Sequence, residues 1–146
     1  MKRGVFLLLM SILLLPSCNK DKKYSFLLLE GVWDVYSLVS DGQELMGSVY
    51  SSLTLAFEAG GKFTSFSNYV DPREGTVHFE RESIATGDLE KWSIGYLVKD
   101  DGSTLRLKSP SSSAVLEFYT LEVSNYELQL TLQDPDKMLV LKARRE

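Results

Sequence analysis

Trp92-Ser93-Ile94-Gly95-Tyr96-Leu97-Val98 sets large apolar side chains at every second position over seven residues. A period of two with one apolar face is the pattern of a half-buried β-strand. The same alternation recurs outward from it, in Leu53-Thr54-Leu55-Ala56-Phe57, Leu105-Arg106-Leu107, Leu128-Gln129-Leu130-Thr131-Leu132 and Leu139-Val140-Leu141. Turn chemistry separates these runs. Asp100-Asp101-Gly102-Ser103 suits a type I turn with a glycine bulge. Ala59-Gly60-Gly61 ends another run, and Ser124-Asn125 and Asp134-Pro135-Asp136 mark two more turns. The pattern predicts strands over Gly31–Ser40, Ser51–Phe57, Lys62–Tyr69, Thr76–Ile84, Leu89–Lys99, Thr104–Lys108, Val115–Val123, Glu127–Gln133 and Met138–Arg144. Gln43 to Tyr50 has room for a short helical turn, but no segment sustains a helical period. The fold class is all-β. Many short strands joined by tight turns make a sandwich or an antiparallel up-and-down barrel. A meander of about eight to ten strands closes naturally and leaves no open edge. A barrel of about eight strands is just wide enough to fill with side chains or to hold one small ligand.

The N-terminus has a different grammar. Met1-Lys2-Arg3 precedes an apolar run of 11 residues, Val5 to Leu15, followed by Pro16, Ser17 and the single cysteine, Cys18. This is a charged region, an apolar region and a small-residue cleavage site in order. A membrane-spanning helix needs about 20 apolar residues, so the run is too short for a permanent span. An ordinary cleaved signal peptide is the plainer reading. A cysteine directly after the cleavage point, with no second cysteine to pair with, makes better sense as an acylation site. The stretch resembles the lipobox of bacterial lipoproteins, which implies that Cys18 becomes the first mature residue and carries the lipid. Residues 1–17 then form the signal peptide, 18–26 a flexible lipidated tether and 27–146 the barrel domain. The expected location is the bacterial envelope, with the anchor in the outer membrane, facing the periplasm or the surface.

Removing residues 1–17 from 146 leaves 129, one domain's worth. Lys2 and Arg3 leave with that segment, so 14 basic residues face 20 acidic ones, a net charge of about −6. No basic stripe is present, which excludes nucleic acid as the expected partner. One cysteine excludes an internal disulfide.

The order of motifs from Leu29 onward carries a resemblance. Gly31-Val32-Trp33 is a G-x-W at the start of the first strand. Leu55-Ala56-Phe57, Gly60-Gly61-Lys62-Phe63, Trp92-Ser93-Ile94, Thr104-Leu105-Arg106-Leu107, Tyr119-Thr120-Leu121 and Glu127-Leu128-Gln129-Leu130 follow. This succession resembles the lipocalin-like domains of small Bacteroidetes lipoproteins over roughly Leu27 to Ala143. The resemblance implies a calycin-type antiparallel barrel. It also implies that Trp33 closes one end beneath a cation from the last strand, Arg144 or Lys142. The Thr-Asp-Tyr motif of transport lipocalins is missing, so their cargo does not carry over.

The sequence offers little chemistry. His78 is the only histidine, and a lone histidine cannot build a His-based metal site. No Gly-x-Ser-x-Gly elbow occurs, and a serine–His78–acid set cannot be judged by spacing because triads assemble in space. Glu80 and Glu82 share one strand face, but Arg81 between them favours a solvated face over a glycosidase pair. The expectation is therefore no enzyme, no metal and no cofactor. The middle-strand aromatics are the remaining signal. Phe66, Tyr69, Phe79, Tyr96 and Tyr119 are the candidate ligand-binding residues, with Phe66 and Tyr69 at the rim. Phe63 and Phe66 break the alternation, which suggests a bulge there. The leading reading is a non-catalytic barrel that binds a small apolar or amphipathic ligand. The other reading is a protein-interaction module of an envelope complex or an enzyme inhibitor, with contacts on the loops at Gln43–Tyr50 and Tyr69–Gly75.

Overall fold

The computed structural model describes residues 24–60, 73–99, 101–108, 116–134 and 136–146. These form one short helix, α1 (Ser25–Leu29), and nine strands: β1 (Gly31–Ser40), β2 (Gln43–Glu44), β3 (Tyr50–Ala59), β4 (Glu74–Ser83), β5 (Leu89–Val98), β6 (Thr104–Lys108), β7 (Leu116–Val123), β8 (Glu127–Leu132) and β9 (Leu139–Arg145). Sequential neighbours pair antiparallel from β3 to β9, and β1 pairs with both β3 and β9, so the sheet closes on itself. β2 is a two-residue spur on the far end of β1. The wall therefore has eight strands, and the molecule is a closed antiparallel up-and-down barrel. Closure removes the open edges that would otherwise invite pairing with another chain.

Alternation decides what fills the interior. Leu53, Leu55 and Phe57 of β3, Leu105 and Leu107 of β6, Leu128 and Leu130 of β8, and Leu141 and Ala143 of β9 are all buried at every second position. β1 breaks phase at a bulge between Val35 and Ser37. The extra residue lets Val35 and Leu38 both face inward while Tyr36 points out. The strands anticipated from alternation agree with the observed ones within two residues at each end. The strand anticipated at Lys62–Tyr69, with its bulge, lies outside the described residues. Gln43, Glu44 and Tyr50 of the Gln43–Tyr50 segment are strand, and one helix-like bond remains, from Val49 N–H to the Leu45 carbonyl at 2.9 Å.

One end of the barrel is plugged. α1 packs there, with Leu29 buried and the Ser25 hydroxyl donating to the Gly102 carbonyl at 2.6 Å. Ser25 and Phe26, anticipated as the end of a flexible tether, thus belong to this plug; a five-residue helix is too short to show a period in sequence. Trp33, fully buried, donates its indole N–H to the Leu29 carbonyl at 2.8 Å. The cation over Trp33 is Arg145, 4.3 Å from the ring centre, and not Arg144 or Lys142. Arg145 also donates to the carbonyls of Glu30 at 2.8 Å, Asn125 at 2.9 Å and Leu28. The correction follows from strand phase. Leu141, Ala143 and Arg145 share the inward face, so Arg144 projects outward, over Tyr36 at 4.4 Å and beside Glu127 at 3.2 Å. Gly31 is required beneath this latch: its φ is +124°, and a Cβ would sit 2.6 Å from the Arg145 Nη1.

Candidate functional site

The opposite end of the barrel is hollow. A cavity of about 350 Å³ opens there, within the range of small-molecule sites. Leucines from β3, β6, β8 and β9 form much of its lining, with Ile94 of β5. The two ends differ in what the inward positions carry. At the plugged end Trp33 and the edge-on pair Phe57–Tyr96, 5.2 Å apart, fill the lumen. Toward the mouth the ring pair Phe79–Trp92 stacks flat along the wall instead, with centroids 5.0 Å apart and planes 2° from parallel.

Arg81 continues that stack. Its guanidinium lies 4.8 Å from the Trp92 ring and 4.9 Å from the Tyr50 ring. Its Nε donates to Glu90 at 2.6 Å and its Nη1 to the Tyr50 hydroxyl at 3.1 Å. Two rings and a carboxylate thus hold the fork in one orientation at the mouth. Glu117 lines the cavity from β7 and accepts the Tyr119 hydroxyl at 2.6 Å. Lys137 reaches the cavity from the loop between β8 and β9. That loop is clasped to the β1–β2 turn: Asp41 N–H donates to the Met138 carbonyl at 2.8 Å, and Met138 N–H to the Asp41 carboxylate at 3.0 Å. Beside it, Glu44 accepts from the Ser37 hydroxyl and from the backbone of Leu38 and Met46, which hold its carboxyl below the usual range.

Burial, and for Tyr119 also its bond to the Glu117 carboxylate, raises both interior tyrosines. Tyr96 is pushed up to about 12, and Tyr119 is raised as well. A group with a raised pKa holds its proton more tightly in the folded chain. Its contribution is complete below the unfolded value of about 10 and is lost as the pH climbs through the folded value. Alkaline titration by phenolate absorbance should therefore find Tyr96 and Tyr119 ionising only well above pH ~10, together with loss of the barrel's ellipticity. Ionisation of both near pH ~10 in an intact barrel would contradict this placement.

Of the residues the sequence nominated, Phe79 and Tyr119 line the cavity. Tyr96 does not. It is buried in the plugged half, where Gly75 across the strand pair leaves space for its ring; a Cβ there would lie 2.8 Å from the Tyr96 hydroxyl. Phe66, Tyr69 and Cys18 lie outside the described residues. The strand ends that flank the first two, Ala59 and Glu74, stand at the Trp33 end, away from the mouth. The sequence reading missed Arg81, Glu117 and Lys137. Phase alone was signal enough for Arg81, which falls in register with Val77 and Phe79, and for Glu117, in register with Tyr119 and Leu121. Glu80 and Glu82 take the outer face, Glu80 paired with Lys91 at 3.2 Å, so they meet no cleft inside the barrel. His78 also faces out, its Nδ1 2.6 Å from the Ser93 hydroxyl and its Nε2 3.1 Å from Glu58. This row runs across three paired strands, β3, β4 and β5. Among the described residues no three His, Cys, Asp or Glu side chains gather as a metal site.

No protein-family model and no curated protein matches the chain. Solved structures do. A redesigned β-barrel is similar over 84% of this chain and 95% of its own, at 16% identity and a TM-score of 0.55. A de novo designed fluorescence-activating β-barrel is similar over 84% and 97%, at 16% identity and a TM-score of 0.53. A further redesigned barrel, whose structure holds bound DFHBI, is similar over 83% and 98%, at 18% identity and a TM-score of 0.52. At such identities the likeness is one of fold, and the fold shared is the closed antiparallel barrel.

Proposed function

We propose that this chain is a non-catalytic, lipid-anchored envelope protein whose barrel holds one small apolar or amphipathic molecule in its open end. The observation that carries the reading is the 350 Å³ cavity, with leucine and aromatic walls and a few charged groups. A similar barrel that holds DFHBI supports the use of such a lumen for a small molecule. Ile94 lies on the cavity wall. Ile94→Trp should cut the affinity for an environment-sensitive apolar dye by at least about tenfold while the barrel keeps its thermal transition. Dye binding unchanged in the variant, or none in the wild type, would overturn the proposal.

The anchor rests on the order Met1-Lys2-Arg3, Val5–Leu15, Ser17, Cys18. Cys18→Ala should move the protein from the membrane fraction to the soluble fraction of its host and abolish incorporation of labelled fatty acid. A variant that stays in the membrane fraction would count against lipidation.

A second reading has one observation in its favour. Val49, Ile84, Leu89 and Met138 are exposed apolar side chains on the strand ends and loops of the open rim. They suit an envelope protein docked over the mouth. Ile84→Glu combined with Leu89→Glu would then release that protein, and dye binding would persist.

A further inference from the structure

Arg81 and Glu117 stand on β4 and β7, three places apart around an eight-strand ring, so the two charges sit on well-separated parts of the cavity wall. They do not pair with each other. Arg81 is held by Glu90 and Tyr50, which leaves its Nη2 without an acceptor among the described residues. Glu117 receives only the Tyr119 hydroxyl, and no donor among the described residues reaches its second oxygen. Leu55, Ile94, Leu107 and Leu130 line the same cavity. Charged groups facing an apolar cavity favour a guest that brings hydrogen-bonding groups of opposite sign. The charges on the cavity wall also balance once the ion pair of Arg81 is counted: Arg81 and Lys137 stand against Glu117 and Glu90. A guest carrying one charge of each sign keeps that balance, whereas an anion or a cation alone leaves one pole unanswered.

We propose that the mouth selects an amphoteric ligand, an apolar body bearing an anionic group for Arg81 and a protonated amine for Glu117. This rests on the reading of the open end as a ligand site. The aromatic rings around Arg81 fix the cation in advance, so little side-chain freedom is lost on binding. Tyr119 orients one oxygen of Glu117 and leaves the other for the amine.

Four probes on one scaffold separate the contributions: indole, indolepropionate, tryptamine and 5-(aminomethyl)indole-3-propionate, whose two charges stand at opposite ends of the ring system, titrated by calorimetry against the full chain in detergent. The doubly charged probe should bind at least about tenfold tighter than either singly charged one, since a hydrogen bond to a charged group is worth about one decade. Glu117→Gln should remove the increment due to the amine and leave indolepropionate unchanged. Arg81→Gln should remove the increment due to the carboxylate and leave tryptamine unchanged. If Arg81→Gln does not fold, Arg81→Lys, which keeps the charge but loses the planar fork, should weaken the carboxylate increment alone. Equal binding of all four probes, or tightest binding of indole, overturns amphoteric selection and leaves the ligand-cavity reading standing. Binding of the apolar dye without binding of any probe has the same meaning. Failure of the dye as well as all four probes overturns both.

Discussion

Trp33→Ala is expected to lower the unfolding free energy by about 3–5 kcal/mol, the usual cost of deleting a buried tryptophan side chain. Trp33 has no solvent exposure, and its ring fills the plugged end of the lumen. Its indole N–H also satisfies the Leu29 carbonyl, so truncation leaves a buried acceptor without its donor. The ring is the surface on which Arg145 rests, and α1 is tied to both. Against a typical stability of about 5–15 kcal/mol for a domain, the loss is a large fraction of the total. Urea unfolding monitored by circular dichroism measures it. Trp33→Phe keeps part of the volume and should fall between the two. A shift of less than about 1 kcal/mol for the alanine variant would mean that the plug does not bear on the stability of the barrel.

The second large effect is a contrast between adjacent arginines. Arg145→Ala should cost about 2–4 kcal/mol, because one half-buried guanidinium bonds three backbone carbonyls from two parts of the chain and covers the Trp33 ring. Arg144→Ala should cost less than about 1 kcal/mol, since its ion pair with Glu127 is exposed on both sides. Arg145→Lys should recover little, as an ammonium cannot span the three acceptors. Equal costs for the two alanine variants would show that the latch carries no more than a surface ion pair.

Much of this was legible in the sequence. Alternation in Leu53-Thr54-Leu55-Ala56-Phe57 and Leu128-Gln129-Leu130 placed those strands to within two residues, because a side chain's face in a sheet follows directly from its position. The G-x-W at Gly31-Val32-Trp33 pointed to a cation over the tryptophan, and a cation is there. The choice of Arg144 failed for a phase reason: Leu139, Leu141 and Ala143 already define the inward set, and Arg145 belongs to it. Arg81 and Glu117 were passed over on similar grounds. Charged residues in a strand are usually solvated, and that expectation overrode the phase that sets Arg81 with Val77 and Phe79 and Glu117 with Tyr119 and Leu121. Tyr96 shows the converse limit. It shares the inward face of Ile94, but which inward residues line a void and which fill one depends on packing across the barrel, here on Gly75 and Phe57. α1 left no trace because five residues are too few for a period.

The central claim is that the open end holds a small molecule. Native mass spectrometry of the full chain, isolated gently from its own host, tests it most directly. The expected result is a reproducible added mass of roughly a few hundred daltons, suited to a cavity of this size, lost on denaturation and absent from Ile94→Trp. A bare chain, or the same added mass on Ile94→Trp, would contradict it.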